Sequence, residues 1–151
     1  MRKLGFLVAV GSTVFATAMI ANTTANAAEH VIQMLNKNEA GQTMVFEPMF
    51  VKAEPGDTIK FVPTDKNHNS ESVKEIWPEG VPPVKGAYST VVEFKAEKDG
   101  LYLFKCLPHY GMGMIALVQV GKPTNLEQMT AFKAMGLSSR RLLEVLPKVV
   151  P

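Results

Sequence analysis

Apolar and polar residues alternate with a period of two along much of the chain between residues 29 and 122. In residues 30–35, for example, Ile32 and Met34 fall on one face of an extended segment. Further runs rich in β-branched, aromatic and long apolar side chains cover residues 44–51, 58–64, 89–95, 101–106 and 114–120. Segments rich in Gly, Pro and Asn separate them, so the pattern predicts an antiparallel sandwich or barrel of short strands. Pro48 indicates a bulge or an edge, because proline cannot donate a ladder hydrogen bond.

The period changes after residue 122. Thr124 is a plausible cap for a helix over residues 125–135, and Ser138 could open a second helix that runs to Val145 and ends at Pro147. In each helix the apolar residues share one face, namely Leu126, Met129 and Phe132 in the first and Leu142 and Val145 in the second, with Val149 just beyond its end. About 30 residues are too few for an independent domain, so we expect both helices to pack on the sandwich.

The beginning of the chain has the pattern of a secretory signal peptide. Arg2 and Lys3 precede an apolar stretch over residues 4–20, and a small-x-small site ends at Ala27. The alternative is a membrane anchor, but Gly, Ser and Thr interrupt the stretch, which falls short of the roughly 18 apolar residues of a membrane span. We therefore predict cleavage after Ala27, export in the unfolded state, and loading of any cofactor outside the cytoplasm.

Cleavage would also change the charge of the protein. The full chain has a formal net charge of +2, but the leader contains two basic residues and no acidic ones, which leaves 14 of each sign. A general attraction to nucleic acid is therefore not expected. We expect residues 28–121 to form the sandwich and residues 122–151 a helical extension packed on it, with no membrane anchor after removal of residues 1–27.

Cys106 is the single cysteine of the chain. An exported protein with one cysteine can form no internal disulfide, so this residue is a buried thiol, a reactive thiol or a metal ligand. Its surroundings favour a ligand. His109 lies three residues later and Met114 eight residues later, at the start of the next predicted strand, so one short loop can bring all three side chains together.

A second imidazole can come from His68, in a loop expected at the same end of the sandwich. Two histidines, one cysteine and a weak axial methionine are the ligands of a blue-copper electron-transfer site. Met112 competes with Met114 for the axial position. We prefer Met114, because Gly113 lets the chain turn and residue 114 re-enters a strand.

Other chemistry has weaker support. A cysteine hydrolase would pair Cys106 with a histidine in a different geometry from that of a neighbour three residues away, and it would need an oxyanion hole. A zinc enzyme would keep an open coordination position, which a methionine fills here. His30 lies in the first strand, away from the loops, and is expected to be structural or merely exposed.

The chain resembles the cupredoxins, and among them the pseudoazurins. The matching segments are residues 34–37, 44–48, 55–58, 68–69 and 106–116, together with the helical tail. The resemblance implies an all-β Greek-key sandwich with two C-terminal helices and one copper ion bound by His68, Cys106, His109 and Met114. It also implies a monomeric periplasmic carrier of single electrons, not an enzyme, whose redox partners are a cytochrome donor and a copper nitrite reductase. Asn67 and Leu107 depart from the family pattern.

The family also suggests how an electron leaves the site. The edge of His109 should reach the surface within an apolar patch formed by Met44, Pro63 and Met112, and lysines around it should orient a partner. The matching residues are Lys37, Lys66, Lys85 and Lys105. The alternative for these lysines is an ordinary solvated surface. The competing function for the whole protein is a periplasmic copper chaperone or storage protein, which would hand over the metal itself.

Overall fold

The structure is a computed structural model that describes residues 27–151. It contains two four-stranded sheets, which pack face to face. The strands are β1 (Glu29–Lys37), β2 (Thr43–Glu47), β3 (Phe50–Ala53), β4 (Asp57–Val62), β5 (Glu71–Ser72), β6 (Val92–Ala96), β7 (Gly100–Lys105) and β8 (Ile115–Val120). The predicted all-β sandwich is confirmed.

The two sheets are mixed rather than purely antiparallel. One has the strand order β2-β1-β4-β6 and the other β3-β8-β7-β5. β1 runs parallel to β4, and β3 runs parallel to β8, while the remaining neighbours are antiparallel. The expectation of an antiparallel arrangement is therefore wrong for these two pairs. Alternation along a strand reports which face is buried, but it carries no information about the direction of the neighbouring strand.

The run predicted over residues 44–51 is two strands. β2 belongs to the first sheet and β3 to the second, and the chain passes between the sheets at Pro48. Proline interrupts the ladder because it has no N–H group to donate. The strand break thus lies where the sequence indicated a bulge or an edge.

Aromatic rings fill the space between the sheets. Phe46, Phe61, Tyr102 and Phe104 are fully buried. Their rings contact one another or Trp77 and Phe94, at centroid distances between 4.6 and 5.6 Å. The same cluster of buried residues extends to Cys106 and Met114. The candidate site therefore lies at one end of the main core.

Two helices follow the last strand, as predicted. They are α1 (Leu126–Ala131) and α2 (Leu137–Val145). Their apolar residues bury against the outer face of β7 and β8 in a second cluster, which contains Met129, Leu142 and Val145. Among the described residues, no helix is long and apolar enough to cross a membrane. Residues 1–26, which hold most of the predicted signal peptide, lie outside the described part of the chain.

The helix starts differ from those predicted. α1 follows Asn125 instead of Thr124, and in neither helix does the side chain of the preceding residue form a cap hydrogen bond. The side chain of Asn125 bonds instead to both backbone groups of Leu101, at 2.7 and 3.0 Å. Ser138 lies inside α2, and its hydroxyl donates to the carbonyl of Tyr110. These polar groups fasten the tail to the sandwich rather than cap their own helices.

Asp57 fastens the start of β1 to the start of β4. Its carboxylate accepts hydrogen bonds from the N–H groups of Ala28 (2.7 Å) and Glu54 (2.9 Å) and lies 2.9 Å from Nε2 of His30. These contacts, led by the Glu54 N–H, lower the pKa of Asp57 from 3.8 to about 2. His30 thus has the structural role that its position in β1 suggested.

We predict that Asp57→Asn lowers the free energy of unfolding at neutral pH by about 2 kcal/mol, because hydrogen bonds to a charged acceptor are lost. The folded pKa of Asp57 lies below its unfolded value, so the carboxylate stabilises the protein fully above about pH 4 and loses this effect as the pH falls toward 2. Urea unfolding of both proteins at pH 7 and below pH 3 measures the difference.

The control is Glu97→Gln, which removes a carboxylate from an exposed ion pair with Lys95. Exposed pairs contribute little to stability, so we expect a change of less than about 1 kcal/mol at either pH. If Asp57→Asn lowered the free energy of unfolding as much below pH 3 as at pH 7, the stabilising role assigned to the Asp57 carboxylate would be contradicted.

Candidate metal centre

Two loops at one end of the sandwich carry the four predicted site residues. His68 lies between β4 and β5, Cys106 directly follows β7, and Met114 directly precedes β8. The Cys106 N–H donates to the carbonyl of Met114 at 3.0 Å, so these two residues continue the pairing of β7 with β8. His109 lies in the loop between them. The sandwich thus brings together residues that are 38 positions apart in the sequence.

Two residues with a left-handed backbone shape these loops. Asn67 has φ +68°, and its N–H donates to the hydroxyl of Ser89 at 2.9 Å. Asparagine adopts this conformation more readily than most residues, so it can occupy this turn. Gly113 has φ +96° and makes the turn before Met114 that the sequence indicated.

The two histidines and the cysteine point their donor atoms at one another. Nδ1 of His68 lies 3.1 Å from Nδ1 of His109, and the sulfur of Cys106 lies 3.8 and 3.5 Å from these two nitrogens. The point equidistant from these three atoms lies about 2 Å from each of them. This distance is close to the length of a bond from nitrogen or sulfur to a first-row metal ion. The three side chains thus form a preformed metal site.

Asn36 fixes which nitrogen of His68 faces the site. The Asn36 side-chain oxygen lies 2.9 Å from Nε2 of His68. An amide oxygen only accepts hydrogen bonds, so Nε2 carries the proton and Nδ1 has a free lone pair. Burial, and secondly the neighbouring His109, lower the pKa of His68. Both effects favour the neutral imidazole, which is the form that binds a metal.

The sulfur of Cys106 is fully buried. Burial raises the pKa of the Cys106 thiol, although the backbone N–H groups of Asn69 and His109 act in the opposite direction. The side chain of Asn69 also accepts a hydrogen bond from the N–H of Leu107 at 2.8 Å, which ties the His68 loop to the Cys106 loop. A thiolate at this position needs a cation beside it, and a bound metal supplies that charge.

The two candidate methionines have different environments. Met114 is fully buried in the same cluster as Cys106, whereas Met112 is 46% exposed. A soft thioether in the same buried cluster as Cys106 suits copper as a weak ligand. This contrast favours Met114 over Met112 for the axial position.

The site approaches the surface on one side. His68 is fully buried, but His109 is only partly buried. Close to it along the loop, Leu107 and Met112 are large exposed apolar residues. Met44, which the sequence placed in the same patch, is partly buried.

The four lysines of the predicted ring are at positions 37, 66, 85 and 105. They lie on segments that lead into the site or that pair with such a segment. Lys37, Lys66 and Lys85 are exposed, while Lys105 is partly buried with its ammonium 5.5 Å from the centre of the Tyr110 ring. Glu71 pairs with both Lys85 and Lys105 through its backbone. None of the four lysines forms an ion pair with a carboxylate in residues 27–151.

The sequence model of the family described as "Copper binding proteins, plastocyanin/azurin family" matches residues 32–121. This range contains all four predicted ligands. The chain belongs to the plastocyanin/azurin family of copper-binding proteins. The family and the donor set agree that the cofactor of this cupredoxin is copper.

Relatives of this cupredoxin are pseudoazurins. A putative pseudoazurin of Rhizobium leguminosarum bv. viciae is 43% identical over 150 residues, which are 99% of this chain and 95% of the relative. Pseudoazurin of Paracoccus pantotrophus is 57% identical over 102 residues, 67% of this chain and 70% of the relative. The crystal structure of native pseudoazurin from Hyphomicrobium denitrificans has a TM-score of 0.80 and 63% identity, covering 82% of this chain and 99% of that one. The resemblance seen in the sequence is confirmed.

Nothing in the sequence indicated the residues that hold the candidate ligands of this cupredoxin in place. Asn36 and Asn69 lie within segments that carry the family resemblance, but a lone asparagine gives no sign that its side chain bonds to a distant loop. Ser138 and Arg141, at a spacing of three on α2, look like ordinary polar positions of an amphipathic helix. Their partners become visible only when α2 is placed against the loop before Met114.

Proposed function

We propose that this cupredoxin carries single electrons between larger redox proteins, on a type 1 copper ion bound by His68, Cys106, His109 and Met114. The observation that carries the proposal is the preformed triangle of two imidazole nitrogens and one sulfur, with the buried Met114 in the same core cluster as Cys106. When bound, copper supplies a one-electron couple between Cu(I) and Cu(II).

The protein contributes a fixed and largely buried environment. The thiolate of Cys106 is a soft ligand that suits Cu(I) and also binds Cu(II), and imidazole binds both oxidation states. Asn36 and Asn69 hold His68 and the Cys106 loop in place, so these ligands move little when the charge of the metal changes. Small rearrangement is the property that a rapid electron carrier requires.

His109 offers the electron the shortest path from the metal to the protein surface. It is less buried than His68, and exposed apolar side chains accompany it on the loop. An apolar surface lets a partner exclude water near the imidazole edge and approach closely. We assign docking to the patch around His109, with Met44, Pro63 and Met112, and orientation of the partner to the four lysines.

Export completes the proposal. A leader over residues 1–27 would deliver the chain to the periplasm, where residues 28–121 form the sandwich and residues 122–151 its helical extension. There the monomer would take electrons from a cytochrome and donate them to a copper nitrite reductase. The names of the relatives support redox partners in general, and the lysines favour acidic ones.

The burial of Cys106 argues against an enzyme that uses the thiol as a nucleophile, since a substrate cannot reach a fully buried sulfur. A copper chaperone or storage protein is the competing function. Such a protein must release its metal to a receiver, which favours exposed Met and His ligands. Here three of the four proposed ligands are fully buried.

Titration of the metal-free protein with Cu(II) tests the proposal. An intense visible band from charge transfer between thiolate and copper at one equivalent is the expected result. Rapid oxidation of the Cu(I) form by a copper nitrite reductase, with copper retained, supports the carrier. Loss of copper to an apo-protein acceptor without electron transfer would instead establish the chaperone.

We predict that electron transfer to a copper nitrite reductase slows as ionic strength rises, because salt screens the attraction between the lysines and an acidic partner. Replacing both Lys66 and Lys85 with glutamate should lower the second-order rate constant at low ionic strength by about tenfold or more. Stopped-flow spectroscopy that follows the visible band measures this rate.

Lys52 provides a matched control. It is exposed on β3 and pairs with Gln119, near the end of β8 that lies away from the site. Lys52→Glu makes the same change of charge per residue but should leave the rate and its salt dependence close to those of the original protein. A rate that does not vary with ionic strength would show that the lysines do not steer the partner.

A further inference from the structure

Helix α2 lies against the loop that carries His109 and Met114. The hydroxyl of Ser138 donates to the carbonyl of Tyr110. At the residue before the helix, Gly136 approaches the backbone of Gly111 so closely that a Cβ atom would lie 2.5 Å from the Gly111 oxygen. The C-terminal tail therefore contacts the loop at successive points between the proposed ligands.

Arg141 makes the most extensive of these contacts. Its guanidinium donates to the carbonyl oxygens of Gly113 (2.8 Å), Met44 (2.6 Å) and Thr43 (2.7 Å). The residue is 4% exposed, and no carboxylate in residues 27–151 lies within ion-pair distance of it. Burial lowers the pKa of Arg141, but an arginine remains charged at neutral pH.

A buried cation without an anionic partner is expensive unless its donors are satisfied. In this case backbone carbonyls satisfy them, and the three carbonyls come from two separate parts of the fold. Gly113 lies in the loop between β7 and β8 of the second sheet, whereas Thr43 and Met44 lie on β2 of the first. Arg141 thus connects the loop to the opposite sheet.

We propose that Arg141 is a positioning residue for the proposed axial ligand Met114. The peptide group between Gly113 and Met114 is the point of action, because its carbonyl accepts from Arg141 and also from the N–H of Ile115 at 2.9 Å. Fixing this peptide plane fixes the direction in which the Met114 side chain leaves the backbone. The inference rests on the proposed copper site.

Gly113 shows how closely the guanidinium approaches. A Cβ atom at this position would lie 2.9 to 3.0 Å from the side-chain atoms of Arg141. The glycine therefore provides both the left-handed turn and the space for the arginine. With the guanidinium removed, the Gly113 carbonyl loses a charged hydrogen-bond donor. Because glycine has the greatest backbone freedom of all residues, the backbone directly before Met114 is then less restrained.

Arg141→Lys is the principal variant, because it keeps the positive charge but cannot donate to three carbonyls in the fixed fork of a guanidinium. Arg141→Met removes the charge as well. The matched controls are Arg140→Lys and Arg140→Met. Arg140 is the preceding residue of α2 and is exposed.

Two measurements on these proteins separate the proposal from a general loss of stability. In the metal-free protein, we expect the amide of Met114 to exchange with solvent about tenfold faster in Arg141→Lys than in the original protein, as one charge-assisted hydrogen bond is lost. In the copper-loaded protein, the intensity ratio of the thiolate-to-copper bands, the rhombicity of the electron paramagnetic resonance spectrum and the reduction potential should all change. The Arg140 variants should match the original protein in every respect.

A lower stability of Arg141→Lys with unchanged exchange, spectrum and potential would overturn the proposal, since it would show that the arginine only supports the fold. Should Arg141→Met fail to fold, Arg141→Lys still decides the question. The exchange measurement needs no metal. A failure of the original protein to form the visible band would therefore count against the copper carrier and not against the contact between Arg141 and the loop.

Discussion

Cys106→Ser is expected to abolish the intense visible absorption that follows addition of Cu(II) to the metal-free protein. The band requires a thiolate bonded to copper, and Cys106 is the single cysteine of the chain. Serine occupies nearly the same volume but is a hard ligand whose hydroxyl rarely ionises, so affinity for Cu(I) should also fall steeply. Absorption spectroscopy and a Cu(I) competition titration measure the two effects.

His30→Gln is the control for this experiment. His30 lies on the sandwich and bonds to Asp57, not to the metal centre. The variant should keep the band and bind one equivalent of copper, which separates the site from adventitious binding to a histidine. A Cys106→Ser protein that remained intensely coloured would refute the type 1 assignment.

Phe104→Ala should lower the free energy of unfolding by about 3–5 kcal/mol, the usual effect of removing a large aromatic side chain from a core. Phe104 is fully buried, and its ring centre lies 4.6 Å from that of Phe61, 5.1 Å from that of Trp77 and 5.6 Å from that of Phe94. Truncation would leave a cavity among these three neighbouring rings. Urea unfolding of the metal-free protein measures the loss.

Tyr88→Ala provides the comparison, because Tyr88 is an aromatic residue that is 51% exposed. We expect a change within about 0.5 kcal/mol. A loss of less than about 1 kcal/mol for Phe104→Ala would mean that the neighbouring rings collapse into the space, contrary to the close contacts between these rings. Since Phe104 lies two residues before Cys106 on the same chain segment, the variant also tests whether the core supports the site.

The site was largely predictable because its residues are chemically uncommon and closely spaced. Cys106, His109 and Met114 belong to one short loop, so a single turn is enough to bring them together. Gly113 indicated that turn. His68 was harder to place, since it depended on two loops meeting at the same end of a sandwich. The strands were predictable from the alternation of apolar and polar residues. The copper cofactor was predictable from the number of the proposed ligands and from the softness of their sulfur atoms.

The remaining features depend on long-range placement that a local pattern does not encode. β5 has two residues, which is too short to produce a period. The parallel pairing of β1 with β4 follows from where the chain crosses between sheets. Arg141 and Asn36 act through hydrogen bonds to residues 28 or more positions away, and no pattern of polarity distinguishes them from solvated neighbours.

The unequal exposure of the two histidines bears on the kinetics of the proposed carrier. With His68 enclosed and His109 closer to the surface, the proposed carrier would present the same contact face to an electron donor and to an electron acceptor. Donor and acceptor would then compete for this face, and a ternary complex could not relay an electron through the proposed carrier. Each turnover must include a dissociation, so very tight binding to either partner would slow the flux, and moderate affinity with rapid release is the condition under which such a shuttle works.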